Sequence, residues 1–142
     1  MALIGGGGAG NVAGGNPSGT GSSINYVGNH LYGFSGLQQI NTVEVPHMDF
    51  SIGAHYVMAV FTLQGGTKPD DPATGKSSVF TIKLNDEIIT SPKVDSAVEG
   101  MPSVIDVPIL LPPYCRIIVT CQSPATTVGI FTAVIITGRV YA

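Results

Sequence analysis

An all-β fold is what this sequence predicts: an antiparallel, eight-stranded, jelly-roll-like β-sandwich carrying a flexible glycine-rich N-terminal arm. Three observations predict it. Runs of about 4–10 residues rich in Val, Ile, Phe, Tyr and Thr alternate apolar and polar positions with the period of two that a half-buried strand requires. Glycine, proline, asparagine and aspartate punctuate those runs at short intervals, as turns do. No stretch sustains the 3.6-residue apolar period of an amphipathic helix.

The elements follow in order. Residues 1–23, "MALIGGGGAGNVAGGNPSGTGSS", carry no charge and few side chains able to pack, and read as an arm. Residues 24–142 then form one domain, and about 120 residues suffice to close one core. In "NHLYGFSG" (29–36) His30, Tyr32 and Phe34 alternate with Leu31, Gly33 and Ser35. "QINTVEV" (39–45) is expected to end at Pro46. "AHYVMAVFTL" (54–63) sets His55, Val57, Ala59, Phe61 and Leu63 against Tyr56, Met58, Val60 and Thr62. "SSVFTIKLN" (77–85) sets Phe80, Ile82 and Leu84 against Val79, Thr81 and Lys83, and Asn85-Asp86 turns the chain tightly into "EIITSPKV" (87–94). "SVIDVPILL" (103–111) aligns Ile105, Val107, Ile109 and Leu111. "YCRIIVTC" (114–121) follows the Pro112-Pro113 corner, and "GIFTAVIITGRVYA" (129–142) closes the chain. Eight strands favour two four-stranded sheets over the seven-stranded immunoglobulin sandwich, which also centres on a tryptophan that this chain lacks.

Two of these runs are apolar on both sides. An antiparallel sheet with one wet face shows polar residues there, yet Tyr56, Met58 and Val60 back Val57, Ala59 and Phe61, and Phe131, Ala133 and Ile135 back Ile130, Val134 and Ile136. Only 11% of residues are charged, against about 25% in an ordinary domain. Such a surface is expected to be covered by a loop or by another subunit. A homo-oligomer is expected, a trimer by preference.

Composition also excludes. A net charge of −3, with six Lys/Arg scattered along the chain, gives no footprint for nucleic acid. No apolar run approaches the ~18 residues of a membrane helix, and the head lacks the basic and apolar regions of a signal peptide. No membrane partner and synthesis in the cytoplasm are expected. Cys115 and Cys121, read as one strand, stand about 20 Å apart on one face, beyond the ~7 Å a disulfide spans; both read as small buried hydrophobes.

No chemistry-bearing motif survives inspection. Gly75-Lys76-Ser77 ends like a phosphate loop, but Asp70 stands where the pattern needs glycine and a strand follows where it needs a helix. Residues 65–78 read instead as a solvated hairpin loop. His47, Asp49 and His55 lie close in sequence without a third ligand at a metal-site spacing. Asp70-Asp71 and Asp86-Glu87 lack the alternating acids of a calcium loop, and Gly33-Phe34-Ser35-Gly36 is one residue short of a serine nucleophile elbow. The expectation is a non-enzymatic protein with no cofactor, no metal and no small-molecule substrate.

"IDVPILLPPYCRIIVTCQS", followed by "GIFTAVIITGRVYA" and preceded by "NHLYGFSGLQQINTVEV", resembles the small β-sandwich decoration, or cement, proteins on bacteriophage capsids, over residues 25–142. The resemblance is one of pattern: strand, Pro-Pro corner, strand, and a terminal "TGRVYA". It implies a virion structural protein on the capsid surface that clamps and stabilises the major capsid protein lattice. The candidate interaction residues under that reading are Gly5, Gly6, Gly7, Gly8 and Asn11 in the arm and Tyr26, Tyr32, Phe34 and Tyr56 in the domain, with Phe131 as a further aromatic; for all five aromatics sequence leaves open whether the role is contact or core. The alternative is a receptor- or carbohydrate-binding head of a phage spike or fibre. A shell protein ranks third, because the arm carries no charge to meet a genome.

Overall fold

The computed structural model describes residues 23–27, 29–67, 77–95, 104–123 and 130–141. The candidates Gly5, Gly6, Gly7, Gly8 and Asn11, and the 68–76 part of the expected hairpin loop, lie outside the described residues.

Every described element is a strand: β1 (Ser23–Val27), β2 (His30–Phe34), β3 (Gln38–Ile40), β4 (Val45–Ser51), β5 (Tyr56–Thr67), β6 (Ser77–Leu84), β7 (Glu87–Thr90), β8 (Lys93–Asp95), β9 (Val104–Leu111), β10 (Arg116–Gln122) and β11 (Ile130–Tyr141). They form two antiparallel sheets packed as a sandwich. Sheet A runs β1-β2-β11-β5-β9, with β3 continuing beside β11; sheet B runs β4-β10-β6-β7, with β8 continuing beside β6. From β3 to β6, and again from β8 to β11, successive strands change sheet. That repeated crossing is how the expected jelly-roll-like sandwich is built, with no helix among the described residues.

Eleven strands stand among the described residues where eight were expected, for local reasons. The 39–45 run breaks after Ile40, and only its last residue, Val45, joins β4, which passes through Pro46 instead of ending there. β4 is an edge strand, so the missing proline N–H has an outside to face. The register slips at the same place: Val119 pairs with Met48 and Thr120 with Pro46, leaving His47 as the extra residue of a bulge. That bulge turns both His47 and Met48 inward. The 87–94 run is interrupted at Ser91-Pro92 into β7 and β8. The 114–121 run begins pairing only at Arg116, because Tyr114 adopts φ +60 in the turn after Pro113. β1 begins at Ser23, the last residue assigned to the arm. The Asn85-Asp86 turn forms as expected, with φ of 50 and 70, the left-handed pair that a two-residue hairpin demands.

The inner faces close over Phe50 from β4, Phe61 from β5 and Phe80 from β6, with Leu31, Ile117, Val134 and Ile136 around them, all essentially without solvent contact. Burying each of these side chains stabilises the fold by about 1.5–3 kcal/mol. Cys115 and Cys121 are both buried and unbridged. Burial pushes the Cys115 thiol up, and pushes Cys121 up to about 12, so both are held as uncharged thiols.

Candidate interaction surface

The register of sheet A decides what its outer face presents. In β5, Val57, Ala59, Phe61 and Leu63 are buried, which turns Tyr56, Met58, Val60, Thr62 and Gln64 outward. Met58 lies between Arg139 of β11 and Leu110 of β9; Val60 between Thr137 and Pro108; Thr62 between Ile135 and Asp106; Gln64 between Ala133 and Val104. On the far side of β11, His30 lies beside Arg139, Tyr32 beside Thr137 and Phe34 beside Ile135. Tyr141 faces Tyr56 at one end.

The result is an apolar face. Phe34 is 54% exposed and Tyr56 51%, and Met58, Val104, Leu110, Ile135 and Tyr141 are large, exposed and apolar on the same side. Tyr32 is half-buried against Phe34, ring centroids 5.9 Å apart. Its charges are sparse. The Arg139 guanidinium lies over the Tyr141 ring, 5.5 Å from the centroid, a cation–π contact. Asp106 accepts a 2.7 Å hydrogen bond from the Thr62 hydroxyl. Neither has an oppositely charged partner among the described residues.

Of the sequence-predicted candidates, Tyr32, Phe34 and Tyr56 come together on this face, and Phe131 takes a half-buried place on the same outward alternation of β11. Tyr26 pairs in register with Leu31 at the sheet edge. Sequence reasoning did not single out Leu110, Tyr141, Asp106 or Arg139. The alternation of each strand contained their orientation, but only the register shows that they share one patch with Tyr56.

The outer face of sheet B is different. Arg116 donates from Nε and Nη2 to the two carboxylate oxygens of Asp49 at 2.9 and 2.7 Å, and Lys83 lies 3.7 Å from Glu44. The double hydrogen bond from Arg116 holds the Asp49 carboxyl below the usual carboxylate range. These four charges are matched in pairs.

The histidine neighbourhood resolves into separate roles. His47 is fully buried, with Nδ1 2.9 Å from the Val45 carbonyl and Nε2 2.7 Å from the Thr132 hydroxyl. A carbonyl only accepts, so Nδ1 carries the proton and Thr132 donates to Nε2. This bond ties β4 of sheet B to β11 of sheet A through the core. Burial lowers the affinity of His47 for a second proton. Asp49 is engaged by Arg116 on the opposite side of the strand. Among the described residues no three His, Cys, Asp or Glu side chains converge as a metal site needs, and no helix is long and apolar enough to cross a membrane.

One end of the sandwich gathers three loops. Tyr114 N donates to Gly53 O at 2.8 Å, Ile52 N to Cys115 O at 3.1 Å, and Asn85 N to Arg116 O at 2.9 Å. Tyr114 itself is 76% exposed. Left-handed backbone is costly for an aromatic residue, and the Gly53 bond helps to hold it.

No family model matches the sequence, and no curated protein matches it. Among solved structures, a family 35 carbohydrate binding module from Clostridium thermocellum superposes with a TM-score of 0.40 at 14% identity, covering 89% of this chain and 85% of its own. A capsid protein of the T13 IBDV viral particle gives 0.48 at 8% identity, covering 79% of this chain; the present chain spans 31% of that protein. An isomalto-dextranase of Arthrobacter globiformis gives 0.37 at 15%, and this chain spans 21% of it. A sandwich fold assigns no activity by itself.

Proposed function

We propose that this protein is a non-enzymatic structural component of a virus particle, a decoration or cement protein that works by burying the outer face of sheet A against protein. The observation that carries the reading is that face itself: a sheet surface with seven large exposed apolar side chains, opposite a sheet that carries two ion pairs, Arg116–Asp49 and Lys83–Glu44. Contiguous apolar surface on a small domain marks a protein contact. The likeness of "IDVPILLPPYCRIIVTCQS" and "TGRVYA" to capsid decoration proteins supplies the virion and the major capsid protein as its setting.

The test is the copy number of the chain in purified particles, by quantitative mass spectrometry against the major capsid protein. A ratio within a few-fold of that protein is expected. A ratio of a few per cent moves the chain to a spike or fibre, and absence from particles overturns the reading.

A second reading has its own observation. Tyr114 and Tyr56 are exposed near the same loop cluster, and Tyr141 pairs beside Tyr56. Exposed tyrosines offer faces for sugar rings, which suits a carbohydrate-binding head. Saturable binding of a glycan that is lost in Tyr114→Ala and Tyr56→Ala supports it; no glycan binding removes it.

A further inference from the structure

The single arginine and single aspartate of the sheet A face are placed symmetrically about its middle. Arg139 is level with Met58, and Asp106 is level with Thr62; they lie on β11 and β9, on either side of β5. Val60 is two residues from Met58 and two from Thr62 on the strand between them. It therefore marks the midpoint of the line joining the two charges, which are separated by roughly 10 Å across the strands and 14 Å along them.

That placement has a consequence for two copies laid face to face. A two-fold axis lying between them, crossing Val60 at right angles to the Arg139–Asp106 line, exchanges the two positions. Arg139 of each copy then stands over the partner's Asp106, and both charges are matched at once. The same axis runs diagonally across the face, over Phe34 at one side and past Leu110 at the other, with Ile135 close beside it. Apolar residues therefore meet their own counterparts along the centre while the charges sit to either side. A self-complementary patch of this kind, in which position i meets j and j meets i, is what an isologous interface requires. The strands of the two copies then cross steeply, as in orthogonal sheet packing. The patch spans four strands and about nine residues, roughly 20 by 25 Å, the scale of a small specific interface.

The geometry points to a second copy of this chain as the occupant of the sheet A face, paired through a two-fold axis at Val60 and oriented by reciprocal Arg139–Asp106 ion pairs. This deepens the proposed function and rests on its reading of the face as protein-binding. The sequence favoured three copies; the charge placement favours two. Charges so placed fix orientation more than they add affinity.

Sedimentation velocity of the full chain over a wide concentration range tests it. The wild type is expected to reach two copies. Asp106→Arg sets arginine against arginine at both ends of the interface, and Arg139→Asp sets aspartate against aspartate; each alone is expected to weaken pairing at least tenfold. An equimolar mixture of the two variants is expected to recover the two-copy species, because every crossing pair is again opposite in sign. Both positions are exposed, and unchanged circular dichroism of each variant separates lost pairing from lost folding. A chain that stays single at all concentrations, a trimer, or a pair indifferent to the swaps overturns the inference. A single-copy chain still abundant on particles leaves the proposed function standing without it, whereas a swap-sensitive pair absent from particles does the reverse.

Discussion

The two outer faces of the sandwich solve the same problem differently. Both are the solvent sides of antiparallel sheets covering one core. Sheet B carries Arg116 against Asp49 and Lys83 near Glu44, so these four charges are satisfied within the chain. Its two exposed isoleucines, Ile88 and Ile89, are neighbours on the edge strand β7, with Ile88 across from Lys83, and do not form a broad patch. Sheet A carries tyrosine, phenylalanine, methionine and leucine outward, with two charges that have no opposite partner among the described residues. A face complete in itself is a surface for water. A face whose apolar groups and charges both lack counterparts among the described residues is the one that the proposed function fills with a neighbour.

The sharpest test of the contrast lies on one strand. Phe61 faces the core from β5 without solvent contact, and Met58 faces outward on the same strand. Phe61→Ala should cost about 3–5 kcal/mol, the sum of lost burial and a cavity, read as a large fall in the denaturation midpoint. Met58→Lys should change stability by no more than about 0.5 kcal/mol while weakening association at least tenfold. Equal destabilisation by both would erase the distinction between the faces.

The tie between the sheets comes next. Thr132→Val leaves Nε2 of buried His47 without its donor and should cost about 1–3 kcal/mol, measured by chemical denaturation. His47 also makes stability depend on pH. Folded, it resists a proton that the unfolded chain takes up near 6.5, so the unfolded state binds more protons as pH falls and stability drops below that value. A stability curve flat from pH 7 to pH 5 would contradict the buried neutral ring.

Gly138 tests how closely β11 approaches β5. A Cβ there would meet the Met58 carbonyl oxygen and Val57 Cγ1, each at 3.0 Å, and Gly138→Ala should cost about 1–3 kcal/mol through overpacking. The smallest effect belongs to sheet B. The Asp49 carboxyl is held low by Arg116, so its contribution is present above the ordinary carboxylate value and lost as pH falls through the depressed folded value. Asp49→Asn should flatten the acid limb of the stability curve and leave association unchanged.

Much of this was legible in the sequence, because a strand's period of two is local. The alternation of 54–63 put Phe61 and Met58 on opposite faces, and that of 77–85 put Phe80 and Ile82 on one face, as the structure has them; which face meets the core depends on the other sheet. Asn85-Asp86 read as a turn because turn chemistry is also local. What failed depended on neighbours. Pro46 looks like a stop until β4 is known to be an edge strand, and the bulge that buries His47 exists only in its pairing with β10. The site was half legible for the same reason. Tyr32, Phe34 and Tyr56 stood out as aromatics, but Arg139, Asp106 and Leu110 join them only through the β2-β11-β5-β9 order, which no single strand encodes.

The most direct measurement is hydroxyl-radical footprinting of the chain in its natively purified assembly against the dilute free chain. Phe34, Tyr56, Met58 and Tyr141 should lose reactivity together on assembly, while Ile88 on sheet B keeps its own. Unchanged reactivity across the sheet A face, or protection of Ile88 in its place, would contradict the claim that sheet A is where this protein meets its neighbour.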